Sequence, residues 1–132
     1  MNAYIDANVF LLARFGTGRK SEAASKIIEG LQSGNISGTT CSLTLDEVMW
    51  AIIRQKQGNE LREVVEDIYA LPNLNVVDTP AHAPLRALEF IRDYNLRPRD
   101  AIHAAVMTER GITTIYSDDE DFDRIKGIKR KF

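Results

Sequence analysis

Four acidic residues stand far apart in the chain yet share one local setting: Asp6 in Tyr-Ile-Asp-Ala-Asn, Glu47 in Thr-Leu-Asp-Glu-Val, Asp100 in Arg-Pro-Arg-Asp-Ala-Ile-His, and Asp119 in Tyr-Ser-Asp-Asp-Glu-Asp-Phe. Each falls where an apolar segment ends or a helix begins, the edge at which open α/β sheets bind ligands. Carboxylates gathered there repel: two unit charges 4 Å apart cost about 1 kcal/mol in water and about 4 at an effective dielectric of 20. A hard cation with oxygen ligands resolves the repulsion.

Each position also has a purely structural explanation. Asp6 suits the turn that follows a strand, where Asp bonds to local backbone, but Asn8 two residues on faces the same edge. Thr44-x-x-Glu47 has the form of a capping box; a Glu in the first helical turn also reaches the end of the preceding strand. Asp100, near a helix start, is favoured there by the dipole by about 0.3 to 1 kcal/mol, which leaves the flanking Arg97 and Arg99 unexplained. Those two, with Arg14, have the planar fork suited to phosphate. His103 reads as a packed or solvent-bonded histidine and is placed outside the group.

The segment Ser117 to Asp123 holds five acids in seven residues directly after an apolar stretch. Caps and turns account for any one of them; the cluster as a whole reads as a loop at a metal edge. The twelve-position calcium loop with its central Gly is absent. The chain also lacks the Cys and His cluster that zinc prefers.

These residues need elements to position them. Ala3 to Ile5 reads as a first strand, followed by a helix from Val9 that stops near Gly16. Ser21 begins a helix with Ala24, Ile27, Ile28 and Leu31 at helical spacing, closed by Gly34. Ile36 to Thr40 reads as the second strand, Thr44 to about Gly58 as a helix, and Leu61 to Ala70 as another. Asn75 to Asp78 is a strand, and Thr79-Pro80 supplies an N-cap and first-turn proline for a helix reaching about Asp93. Pro98 opens a helix to Arg110, Thr113 to Tyr116 forms the fourth strand, and Ile128 to Arg130 a short fifth. Strands alternating with helices imply an α/β fold: three layers, α/β/α, around a central, mostly parallel sheet of four to five strands.

The chain has 132 residues, 44% of them apolar and 27% charged, as expected of a single globular domain over residues 1–132. Its net charge of −2 gives no global positive field for nucleic acid and weighs against a passive DNA-binding module. Cys41 is the single cysteine, which excludes an intrachain disulfide and points to a reducing, cytoplasmic compartment. No apolar run approaches a membrane span, and Asp6 interrupts any signal-peptide core. Trp50, Ile53 and Phe90 read first as core residues and second as a face for a partner.

Taken together, Asp6-Ala-Asn8, Ser42-x-Thr44-x-x-Glu47-Val48, Arg99-Asp100-Ala-Ile-His-Ala-Ala and Ser117-x-Asp119-x-Asp121-Phe122 resemble a PIN domain, specifically the small VapC-type toxins. The likeness spans essentially the whole chain, and the Asp-Ala-Ile-His-Ala block is its most specific part. It implies a Mg²⁺- or Mn²⁺-dependent ribonuclease, usually a homodimer, held inactive by a small antitoxin. The family's acidic quartet falls on Asp6, Glu47, Asp100 and Asp119. In this mapping Asp6, Asp100 and Asp119 are metal ligands, Glu47 completes the site and Asn8 supports it. Asp118 and Asp121 are neighbours able to share or replace the role of Asp119.

Two other classes share parts of this pattern. A receiver-type phosphotransfer domain or small phosphatase also gathers carboxylates around Mg²⁺, though the phosphatase needs Asp-x-Asp where this chain has Asp6-x-Asn8. A non-catalytic PIN-like binding domain would dispense with the complete acidic set.

Overall fold

The computed structural model describes residues 2–132, in the order β1 (Asn2–Ile5), α1 (Ala7–Phe15), α2 (Arg19–Ser33), β2 (Ser37–Cys41), α3 (Ser42–Arg54), α4 (Leu61–Ala70), β3 (Leu74–Val77), α5 (Ala83–Tyr94), α6 (Pro98–Glu109), β4 (Thr114–Tyr116) and β5 (Lys129–Lys131), with short 3₁₀ turns at Gly58–Glu60 and Glu120–Arg124. The five strands form one sheet in the order β3-β2-β1-β4-β5. Every pairing is parallel. That order differs from the 2-1-3-4-5 arrangement of receiver domains, which removes the receiver reading.

Alternation along β1 explains the layers, because successive side chains on a strand face opposite ways. Tyr4 joins a core with Ala87 of α5 and Ala101, Ala104 and Met107 of α6. Ile5 joins the opposite core with Phe10 of α1, Leu31 of α2, Val48 of α3 and Ile68 of α4. Helices therefore cover both faces of the sheet. On the second face α2 approaches closely: a Cβ on Gly38 would lie 2.8 Å from Leu31 Cδ2 and 3.1 Å from Ile5 Cγ1. Gly38 keeps that contact short.

Two helix starts differ from the sequence expectation. The helix bearing Glu47 begins at Ser42, so Thr44 lies inside it, fully buried and with its hydroxyl unpartnered. The capping box does not form, and Glu47 is left available for another partner. Likewise α5 begins at Ala83 rather than after Thr79. The Thr79 hydroxyl instead accepts from the Leu43 N–H at 3.1 Å and meets Ser42 Oγ at 2.9 Å. Because β2 and β3 are neighbours, Thr79 at the end of one caps the helix that leaves the other.

From β1 the chain moves outward through β2 to β3, then crosses back to β4 and outward to β5. The reversal falls between β1 and β4, and in open α/β sheets such a switch point opens a crevice at the strands' carboxyl ends. Asp6 directly follows β1 and Ser117 directly follows β4.

Candidate active site

Asp6 is the N-cap of α1, its Oδ1 accepting from the Ala7 N–H at 2.8 Å. Its other oxygen accepts from the Ser117 hydroxyl at 2.5 Å and from Asn8 Nδ2 at 3.2 Å. Asn8 also donates to Ser117 Oγ at 3.2 Å and accepts from the Asp118 N–H at 3.1 Å. These bonds fasten the loop after β4 to the end of β1. Burial raises the Asp6 pKa despite the opposing influence of His103 and Ser117.

The loop continues as a turn in which Asp119 accepts from the Asp121 N–H at 2.9 Å. The Ser117 hydroxyl in turn accepts from the Asp119 N–H at 3.0 Å. Ser117 therefore orders both Asp6 and Asp119. Arg130, on β5, braces the loop from behind, donating to the Ser117 carbonyl at 3.1 Å and to both carboxylate oxygens of Asp123 at 3.0 Å.

Asp100 stands in the first turn of α6, whose small residues Ala101, Ala104 and Ala105 are buried against the protein. With Glu47 and Asp119 it lines a cleft of about 450 Å³, rimmed by Arg97, Pro98 and Arg99. Burial, and then the negative charges of Asp119, Asp6 and Glu47, push its pKa up to about 6. Asp100 forms no ion pair among the described residues. One oxygen or nitrogen from each of Asp6, Glu47 and His103 lies within 4.8 Å of the others, as do oxygens from Asp100, Asp119 and Asp121.

Asp6, Glu47, Asp100 and Asp119 offer carboxylate oxygen alone, the ligand type of hard divalent cations. His103 is engaged elsewhere: its Nε2 bonds Glu47 and its Nδ1 lies 2.6 Å from the Tyr4 hydroxyl. A carboxylate group in excess of its local cations, with one member pushed to about 6, is the electrostatic state a divalent cation would relieve.

The other sequence candidates separate into two groups. Asp118 pairs with Lys20 of α2 at 2.9 Å, and Asp121 pairs with Arg124 at 2.9 Å and Arg97 at 3.6 Å. Both flank the cleft with cationic partners already in place. Arg97 and Arg99 border it and are exposed. Arg14 does not reach it: Glu60, Glu63 and Asp67 hold its guanidinium at 3.2, 3.3 and 3.4 Å beside α4. Sequence reasoning left out His103, buried and bonded to Glu47. The signal available was its spacing of three from Asp100, which puts both on one face of a helix. Trp50 and Ile53 depart from the core reading, being 54% and 52% exposed, while Phe90 packs partly buried against the α5/α6 core.

A parallel α/β/α sandwich with carboxylates at the switch point of its sheet defines a class, and residues 3–128 match the PIN domain family. The chain belongs to that family. It is 30% identical over 112 residues to ribonuclease VapC13 of Mycobacterium tuberculosis, and equally to a VapC ribonuclease of Mycobacterium bovis, covering 81% of this chain and 82% of each relative. Among solved structures it resembles VapC20 of Mycobacterium tuberculosis, a sarcin-ricin loop cleaving toxin, with a TM-score of 0.76 at 17% identity over 92% of both chains. DNA-bound VapBC from Salmonella typhimurium matches with a TM-score of 0.73 at 19% identity, over 99% of this chain and 98% of the other.

Proposed function

We propose that this chain is a metal-dependent endoribonuclease, the toxin of a toxin-antitoxin pair, with residues 1–132 acting as one PIN domain in the cytoplasm. The observation that carries the reading is the convergence of Glu47, Asp100 and Asp119 on one cleft beside the buried Asp6. Curated relatives named as VapC ribonucleases support it.

In this reading Asp6, Asp100 and Asp119 hold Mg²⁺ or Mn²⁺ and Glu47 completes the site. The ion supplies charge neutralisation at a phosphodiester and a site for orienting water. The chain's own residues do the rest. The Ser117 and Asn8 bonds fix the Asp6 carboxylate before substrate arrives, so no reorganisation is needed when charge develops. Arg97 and Arg99 offer guanidinium groups at the rim, placed for the phosphates flanking the scissile bond. A nucleic acid is thus the substrate whose repeating anion matches a cationic rim around an acidic centre, and the relatives named as ribonucleases point to RNA.

The partners follow from two apolar faces. A groove lined by Phe10, Ala13, Ile28, Val64, Ile68 and Leu71 suits an amphipathic helix from an antitoxin. Trp50 and Ile53, exposed together on α3, suit a second copy of this chain. Co-purification from the native operon tests the first, and mass measurement in solution tests the second.

Cleavage of a mixed RNA pool in Mn²⁺, Mg²⁺ or EDTA tests the activity, with Asp100→Asn as a folded control lacking the charge. Metal-dependent cutting that Asp100→Asn abolishes is the expected result. Cutting that persists in the variant or in EDTA would overturn it.

A further inference from the structure

We propose that His103 is a positioning residue: it donates a hydrogen bond to Glu47 and so aims that carboxylate into the acidic cleft, while Tyr4 holds the imidazole from behind. The proposal rests on the metal-site reading and assigns within it the group that orders Glu47.

Glu47 needs such a group more than its neighbours do. Asp6 is held by Ala7, Asn8 and Ser117, and Asp119 is fixed within its own turn. Glu47 has the longest and most flexible stem of the four acids, and the structure gives it one hydrogen-bond partner among the described residues, His103 Nε2. Its side chain is 18% exposed, at the boundary between the core and the cleft. Without His103 it would sample several rotamers.

His103 is built for this work rather than for ligation. It is 0% exposed, three residues after Asp100 on α6, so one helix face presents Asp100 to the cleft and His103 below Glu47. Its Nδ1 lies 2.6 Å from Tyr4 Oη and 3.8 Å from Cys41 Sγ, and the Tyr4 hydroxyl lies 3.0 Å from Cys41 Sγ. The Tyr4 ring leans on the imidazole at 5.5 Å between centroids. With the bond to Glu47 of α3, these contacts from β1 and β2 leave the ring no freedom to turn.

The arrangement does not depend on the charge of the ring. An ionised Glu47 only accepts, so Nε2 carries the proton in either state. If Nδ1 is also protonated, it donates to Tyr4 Oη and the phenol donates to Cys41 Sγ. If it is not, the phenol donates to Nδ1. Both patterns preserve the bond to Glu47, and in both no lone pair of Nε2 is available to a metal.

Two substitutions separate the ring's two sides. His103→Gln puts an amide donor near the place of Nε2 and keeps the bond to Glu47; His103→Asn fills the place of Nδ1 and keeps Tyr4 satisfied without reaching Glu47. Calorimetric titration with Mn²⁺ is the readout, with wild type and Asp100→Asn beside the two variants. Loss of a group that orients a ligand typically costs 10- to 100-fold in metal affinity, so His103→Asn is expected to weaken Mn²⁺ binding by about that factor, with His103→Gln close to wild type. A merely structural histidine would give the two variants equal affinities, and that result, with Mn²⁺ binding intact in wild type and lost in Asp100→Asn, would overturn the positioning role alone. Wild-type protein that binds no Mn²⁺ would overturn the metal reading and this role with it. Direct ¹⁴N coupling to bound Mn²⁺ in spin-echo spectra, lost in His103→Gln, would make His103 a ligand and overturn the proposal.

Discussion

The Ser117 hydroxyl donates to Asp6 Oδ2 at 2.5 Å, joining residues 111 positions apart across the seam between β4 and β1. The same oxygen accepts from Asn8 and from the Asp119 N–H, so one small side chain ties together a strand end, a helix start and an acidic loop. Ser117→Ala leaves those groups short of a partner in a buried place, and an unsatisfied buried group costs about 1 to 3 kcal/mol. Urea unfolding should report a loss in that range; a change below about 0.5 kcal/mol would mean that water takes over the role of the hydroxyl.

Asp100 makes the metal-free protein less stable than its fold requires. Its folded pKa of about 6 lies above the ordinary carboxylate value, so between about pH 4 and 6 the native state keeps a proton that the unfolded chain has released. Stability therefore falls as pH rises through that window and levels off above it. Asp100→Asn removes the penalty, and after allowance for partial exposure it should stabilise the apo protein by about 1 to 2 kcal/mol at neutral pH with little effect near pH 4. Equal urea midpoints for wild type and variant at neutral pH would refute this.

The same proton competes with a cation. A ligand must be deprotonated to bind, so Mn²⁺ affinity should hold steady above about pH 6 and fall by about tenfold per pH unit below it, for one displaced proton. Buried Asp6, also raised, acts in the same direction. Titration calorimetry at pH 5, 6 and 7.5 reads this directly, and a flat profile would remove Asp100 from the site.

Much of this arrangement is legible in the residue order, and the parts that are not share a cause. Asp6, Asp100 and Asp119 are marked locally, by a strand that ends or a helix that begins, and the sheet must then bring those edges together. Thr79 and Glu47 were each explained by a local cap, but their partners lie on neighbouring elements: Thr79 caps α3 through the adjacency of β2 and β3, and Glu47 meets a histidine 56 positions away. Arg14 is the converse case. It reads beside Arg97 and Arg99 as a fork suited to phosphate, whereas α1 turns it toward the acids of α4 and the adjacent turn. Local chemistry shows which groups need partners, and only packing shows who supplies them.

Arg130 holds the acidic loop from the side opposite Ser117. Its guanidinium forks onto Asp123 and also reaches the Ser117 carbonyl, a geometry that the point charge of lysine does not reproduce. Arg130→Lys should therefore behave like Arg130→Ala, each lowering the urea midpoint by a similar amount. A lysine variant as stable as wild type would reduce the interaction to simple charge pairing.

Arg99 and Arg14 should separate cleanly in RNA binding, although both are exposed arginines. Each phosphate neutralised by the protein releases counterions, so losing one contact lowers the slope of log affinity against log salt by about one unit. Arg99 stands at the rim of the cleft without an ion pair among the described residues, and Arg99→Ala should flatten the slope by about that amount. Arg14 is committed to Glu60, Glu63 and Asp67, so Arg14→Ala should leave the slope as it was. Measured with Asp100→Asn protein to prevent cleavage, an unchanged slope for Arg99→Ala, or a flattened one for Arg14→Ala, would move the RNA path away from the Pro98 rim and toward α4.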